Sequence, residues 1–269
     1  MLVLIAYLVL GAAAGTLAGL FGIGGGLIIV PALVFSFELQ GVSAEVATHL
    51  AVGTSLATII FTSISSIKSH HEKQAVLWPV FRPMALGLLI GAMLGAMTAA
   101  QLQGAWLRFL IGIFAIVIGV QMALALKPKP GRDVPGTIGL VATGGGIGWA
   151  SAIFGIGGGS LSVPFLTWCN VRMQQAVGTS AACGLPIAIM GAATNVSEGW
   201  HNALLPDWSL GFVYLPALVG IAVLSVPFAK LGARLAHNLN ANTLKRWFSI
   251  LLFLVGGRFL LQSAPLLFN

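Results

Sequence analysis

Eight apolar stretches divide this chain, at about 2–36, 46–68, 76–100, 106–126, 137–168, 175–196, 208–230 and 245–267. A helix that crosses a bilayer needs about 20 consecutive, largely apolar residues. Six of the stretches have the length of one span, whereas 2–36 and 137–168 are too long for one ordinary span. Only 7% of the 269 residues are charged, against about 25% in an average soluble domain, too few to cover a soluble fold of this size. The bilayer is therefore the solvent. The 35 glycines agree, because small residues let membrane helices approach closely.

Both over-long stretches carry a glycine cluster near the middle, FGIGGG at 21–26 and again at 154–159. Each Gly weakens a continuous helix by about 1 kcal/mol relative to Ala, so both stretches are predicted to be broken helices or helical hairpins. The clusters also belong to a repeat. FGIGGGLIIVP at 21–31 matches FGIGGGSLSVP at 154–164, AVGTS occurs at 51–55 and 176–180, and LRFLIGIFAIVIG at 107–119 resembles LKRWFSILLFLVG at 244–256. Self-similarity of this extent predicts an all-α polytopic membrane protein of two homologous halves, residues 1–126 and 137–269. The basic, proline-containing segment 127–136 is the linker between them.

Charge placement orients the halves. Lys68 and Lys73, the linker residues Lys127, Lys129 and Arg132, and Lys230, Arg234, Lys245 and Arg246 mark three loops as cytoplasmic. The 37–45 loop, with Glu38 and Glu45, and the 197–207 loop, with Glu198 and Asp207, contain no Lys or Arg and are expected outside. Two apolar stretches separate the linker from the 197–207 loop, so one must cross an even number of times, and the Gly-broken fifth stretch is the obvious one. If the first stretch is a hairpin too, each half makes an odd number of net crossings and the halves are inverted repeats. Eight simple spans with parallel halves are the rival arrangement, and Arg108 falls on the outer side against the charge rule. The N-terminal MLVLIAYLVLGAAAG superficially resembles a signal peptide, but it lacks a basic leading region and a similar segment recurs mid-chain, so it is expected to stay in the mature protein.

Broken helices expose backbone N–H groups at membrane depth, where they must line a cavity or meet a substrate. A triple Gly followed by a short half-helix directs free amides and the positive end of a helix dipole at one point, a setting for a small anion. The substrate-binding residues expected on this ground are Gly24, Gly25 and Gly26, and Gly157, Gly158 and Gly159. Hydroxyls add neutral donors at Thr54, Ser55, Thr179 and Ser180, with Ser160 and Asn195 as further members. The plainer alternatives are tight helix packing for the glycines and a bond to the residue's own helix carbonyl for Ser and Thr.

No Asp or Glu lies well inside an apolar stretch, which argues against a cation transporter. His49, His70 and His71 are placed to carry a proton or simply to sit at an interface, and Arg258 to face the pathway or to snorkel outward. Cys169 and Cys183 have no metal-ligand spacing and read as small core residues. The net charge of +7 is scattered between apolar stretches and points to no nucleic-acid partner. No catalytic constellation or cofactor motif is apparent. The choice lies between a carrier and an anion channel with a Gly-lined constriction.

GTLAGLFGIGGGLIIVP at 15–31 and GWASAIFGIGGGSLSVP at 148–164, together with the two AVGTS elements, resemble the sulfite exporter TauE/SafE family, also called the 4-toluene sulfonate uptake permease family. The resemblance covers essentially the whole chain, and its motif falls on Gly24, Gly25, Gly26 and Pro31 and on Gly157, Gly158, Gly159 and Pro164. It implies a secondary transporter of the bacterial inner membrane that moves small sulfur-containing anions, such as sulfite, sulfoacetate or other organosulfonates. Export is the usual direction, although import is credited to some members. The partners implied are that anion, the lipid bilayer and a coupling proton or sodium ion. The particular anion, the direction, the coupling ion and the oligomeric state stay open.

Overall fold

The computed structural model describes residues 2–21, 25–124, 131–235 and 241–268. The first half forms α1 (Leu2–Phe21), α2 (Gly26–Leu39), α3 (Ala44–Glu72), α4 (Trp78–Gln101) and α5 (Gly104–Ala123). The second forms α6 (Thr137–Phe154), α7 (Gly159–Trp168), α8 (Met173–Gly199), a two-stranded hairpin of β1 (Ser209–Leu210) and β2 (Val213–Tyr214), then α9 (Leu215–Leu235) and α10 (Ala241–Phe268). Helices α3, α4, α5, α6, α8 and the 246–267 part of α10 are long and apolar enough to cross a membrane. Local signals set the starts of some of them. Ser43 caps α3 by accepting from the backbone N–H of Glu45, and Pro79 sits in the first turn of α4, where its missing N–H would have no helical partner anyway.

The second long apolar stretch breaks at the predicted glycines, α6 ending at Phe154 and α7 starting at Gly159; in the first stretch α2 starts at the matching Gly26, and residues 22–24 lie outside the described residues. The second break is closed at each end by a left-handed glycine. Gly155, at φ +66°, terminates α6 while the Ile156 N–H donates to Ser151 O at 2.9 Å, and Gly158, at φ +74°, precedes α7. The ends of each stretch then return to one another. Gln40, just past α2, donates to the Tyr7 hydroxyl of α1 at 2.8 Å. Gly131, before α6, donates to Trp168 O at the end of α7, and the Arg132 guanidinium lies 4.8 Å from the Trp168 ring centre. Each stretch is thus a helical hairpin that enters and leaves at the same end of the molecule.

Small residues set the packing. Gly11 and Gly15 of α1 face Ile221 and Ser225 of α9, and Gly87, Gly91 and Gly95 of α4 face Val141, Gly145 and Trp149 of α6, so both pairs run parallel. A Cβ on Gly91 would lie 2.1 Å from Gly145 O, an approach that only Gly permits. Two other pairs run antiparallel. Gly53 and Leu56 of α3 meet Asn195 and Gly191 of α8, while Gly112 and Gly119 of α5 meet Phe259 and Leu252 of α10. Helices α3 and α8 form the centre, with 61% and 67% of their most apolar windows buried against 22% for α10.

One apolar stretch departs from expectation. Residues 209–214, read as the start of a helix, pair instead as Ser209 with Tyr214 and Leu210 with Val213. Positive φ angles at Trp208 and Gly211 make the turn, and Gly211 must be Gly because a Cβ there would lie 2.1 Å from Val196 O.

Candidate functional site

The two AVGTS elements lie in the central helices and do matching structural work. Thr54 Oγ1 accepts from the Tyr214 N–H at 2.9 Å, and Thr179 Oγ1 accepts from the Leu77 N–H at 2.9 Å. The glycine before each threonine admits a neighbouring carbonyl. A Cβ on Gly53 would lie 2.1 Å from Phe212 O, and one on Gly178 would lie 2.5 Å from Ala75 O. The threonines therefore fix the chain just before α9 and α4. The serines differ. Ser55 donates to Gly155 O at 2.8 Å and ties α3 to the second break, whereas buried Ser180 Oγ has no hydrogen-bond partner among the described residues.

Ser180 belongs to a cavity of about 150 Å³. One wall is a face of α3, where Ile59, Thr62, Ser63, Ser66, Ser69 and His70 recur at helical spacing, with Ser65 beside them. The break supplies Gly157 and Gly159, α8 supplies Ser180, Ala181 and Gly184, and α1 and α9 close the rest with Ala18, Val226, Ala229 and Lys230. Gly184 lets the deep end form, since a Cβ there would sit 2.9 Å from Gly157 O and 3.0 Å from Ser63 Oγ.

The backbone of the break is rich in unused donors. Leu161 and Ser162 N–H both donate to Gly158 O, while the N–H groups of Gly157, Gly158, Gly159 and Ser160 have no acceptor among the described residues; the last three belong to the cap and first turn of a helix, which leaves its amides unpaired. The buried hydroxyls of Ser151, Ser160 and Ser162 also have no partner there. The first break adjoins this region: a Cβ on Gly26 would lie 2.4 Å from Gly155 O and 2.8 Å from Ile156 Cα.

Among the expected site residues, the structure brings Gly157, Gly159 and Ser180 together at the cavity wall, with Gly158 and Ser160 alongside them in the break and Gly26 against it. Gly25 caps α2 and faces Ile29, and Gly24 lies outside the described residues. Thr54, Thr179 and Ser55 hold backbone elements. The Asn195 side-chain amide donates to Gly191 O of its own helix at 2.8 Å, its backbone carbonyl accepts from the Phe212 N–H, and it does not line the cavity. The α3 hydroxyl face escaped the sequence reading, in which Lys230 figured only as a loop charge, although TSISSIKSHH at 62–71 contains the helical spacing that shows the face.

Of the described histidines, only His70 lines the cavity. His49 is buried, with its ring nitrogens at 3.0 Å from Glu45 O, 3.1 Å from Ala99 O and 3.0 Å from Leu102 O, and it stacks on Phe212. His71 accepts from Trp78 Nε1. Arg108, out of place by the charge rule, is buried and ion-paired with Glu38, while Arg258 Nη2 lies 3.6 Å from the other oxygen of that carboxylate. Cys169 and Cys183 are free and buried, and no His, Cys, Asp and Glu cluster suited to a metal occurs among the described residues.

A helical, multi-pass membrane protein with a polar chamber ending at a broken helix has the build of a membrane transporter. The pattern of the Sulfite exporter TauE/SafE family matches residues 7–259, and the chain belongs to that family. It is 38% identical over 250 residues to a probable membrane transporter protein of Haemophilus influenzae, covering 92% of this chain and 94% of that one. It is also 28% identical to probable membrane transporter proteins of Methanocaldococcus jannaschii, over 93% of this chain and 92% of that one, and of Bacillus subtilis, over 92% and 94%. No solved structure matches. The chain is a multi-pass membrane transporter, and its helical spans suit the bacterial inner membrane.

Proposed function

We propose that this transporter moves small sulfur-containing anions, sulfite, sulfoacetate or related organosulfonates, and that the hydroxyl-lined cavity is their binding chamber. The observation that carries the reading is the meeting of that cavity with the second break, where free amides at Gly157–Ser160 and the Ser180 hydroxyl offer several donors and, among the described residues, no fixed buried charge. Such donors suit an oxyanion, and the start of α7 adds the favourable end of a helix dipole. Lys230 at the wall draws the anion in. A coupled proton would use His70, which lies on that wall.

The same reading makes the halves inverted repeats, with the cavity facing the cytoplasm and export by alternating access. The antiparallel runs of α3 with α8 and of α5 with α10 support it, because these are equivalent helices of the two halves. A hairpin plus three further helices also gives each half an odd number of net crossings. Lys68, Lys73 and Lys230 lie at the cavity's end of α3 and α9, which the positive-inside rule places in the cytoplasm.

The test is thermal unfolding of the detergent-purified protein with sulfite, sulfate, sulfoacetate, taurine and acetate at equal concentration. Sulfite or sulfoacetate is expected to raise the melting temperature well above acetate or zwitterionic taurine. Equal shifts for all five would remove the case for a sulfur-anion site.

A further inference from the structure

A second cavity, of about 220 Å³, lies between α2 and α10. Its walls are apolar, with Ile28, Pro31 and Ala32 of α2 facing Leu251, Val255 and Phe259 of α10, and its polar members are Glu38 and Arg258. The charges there do not balance. Arg108, its side chain only 7% exposed, binds one oxygen of Glu38, and Arg258 reaches the other at 3.6 Å. Two guanidinium groups thus share one carboxylate, and the surplus positive charge rests on Arg258, whose side chain is 48% exposed.

Depth and surroundings identify what would balance it. Arg258 lies within the apolar 246–267 span of α10, ten residues before its end at Phe268, and an arginine in such a span extends its guanidinium towards the headgroups. Its guanidinium lies 4.6 Å from the Phe35 ring centre. The flanking Leu251 and Leu254 are exposed, so the groove faces the acyl region of the bilayer. A soluble anion would leave these apolar walls uncovered, whereas an amphiphile covers both parts.

We propose that this groove binds an anionic phospholipid, with its phosphate on Arg258 and part of an acyl chain between α2 and α10. Such a lipid would link the half-helix that follows the first glycine break to the outermost helix of the bundle.

The test uses the full-length protein, stripped of lipid in detergent and titrated with phosphatidylglycerol, phosphatidylcholine or inorganic phosphate while melting is followed. Phosphatidylglycerol should raise the melting temperature by several degrees and phosphatidylcholine should do little. Arg258→Gln should abolish the difference between the two lipids. Ala32→Trp, which keeps the charge and fills the groove, should abolish the phosphatidylglycerol shift and serves if the arginine variant does not fold. Equal shifts with both lipids in the unsubstituted protein would overturn the proposal, as would a phosphatidylglycerol preference that survives both substitutions. A full shift with inorganic phosphate alone would assign Arg258 to a free anion instead.

Discussion

The antiparallel pair α3 and α8 is built on the same pentapeptide at its two ends and finished differently. Where α3 starts, Gly53 and Thr54 receive the chain at Phe212 and Tyr214; where α8 starts, Gly178 and Thr179 receive it at Ala75 and Leu77. Phe212 covers buried His49, whose ring spans three carbonyls, and the Glu38–Arg108 pair lies at the same end. The matching small residue, Ala75, covers no such group, and the polar cavity lies in that half, with His70 and Lys230 on its wall. A repeated scaffold has thus been closed at one end and left open at the other by the side chains placed on it. Under the proposed alternating access, this would be the difference between a sealed side and an accessible one.

The largest effect should come from the sealed end. Glu38→Ala leaves buried Arg108 without its carboxylate and should cost about 3 kcal/mol, since removing one partner of a buried pair strands the other charge. Unfolding in mild detergent measures the loss, and the double variant Glu38→Leu with Arg108→Met should recover most of it. A double variant no more stable than the single one would show that the ion pair is not what closes this end.

The two glycine breaks sharpen the comparison at the next level. Gly158 has φ +74° and Ile187 Cδ1 2.6 Å from where a Cβ would sit, whereas Gly25 has φ −73°, and a Cβ there would meet the flexible tip of Ile29 at 3.0 Å and Ala14 O at an ordinary 3.6 Å. Gly158→Ala should therefore destabilise by roughly 1–2 kcal/mol from the backbone alone, and Gly25→Ala by less than about 0.5 kcal/mol. Equal losses would mean that the first break is as constrained as the second. The serines give a smaller contrast. Ser55→Ala removes the bond to Gly155 O and should lower stability by about 1 kcal/mol. Ser180→Ala should leave stability unchanged and reduce the sulfite-induced shift in melting temperature.

Much of this architecture was legible because a bilayer restricts the backbone to few solutions. The duplicated FGIGGG elements predicted the break that the structure describes at 155–158, and loop charges predicted a fifth stretch that turns back, in keeping with the Gly131–Trp168 contact. The hairpin at 209–214 was hidden because its residues are as apolar as the helix that follows. The work of Thr54 and Thr179 was hidden for another reason. Their partners lie 160 and 102 residues away in the chain, so no local pattern announces them. The α3 hydroxyl face was visible as spacing, yet a serine in a membrane helix that serves its own carbonyl looks the same in sequence.

Lys230 should give the smallest effect and tests whether the open end attracts anions. It is exposed, so its contribution to binding should stay below about 1 kcal/mol, or roughly fivefold in affinity. Such an interaction works through solvent, where the screening length falls from about 30 Å at 0.01 M salt to about 3 Å at 1 M. Sulfite binding to Lys230→Gln should therefore be severalfold weaker than to the unsubstituted protein at low salt and nearly equal at high salt. A ratio that stays constant across salt would mean direct contact with the bound anion rather than attraction at the chamber wall. A ratio of one throughout would leave the hydroxyls and the break amides as the whole recognition surface.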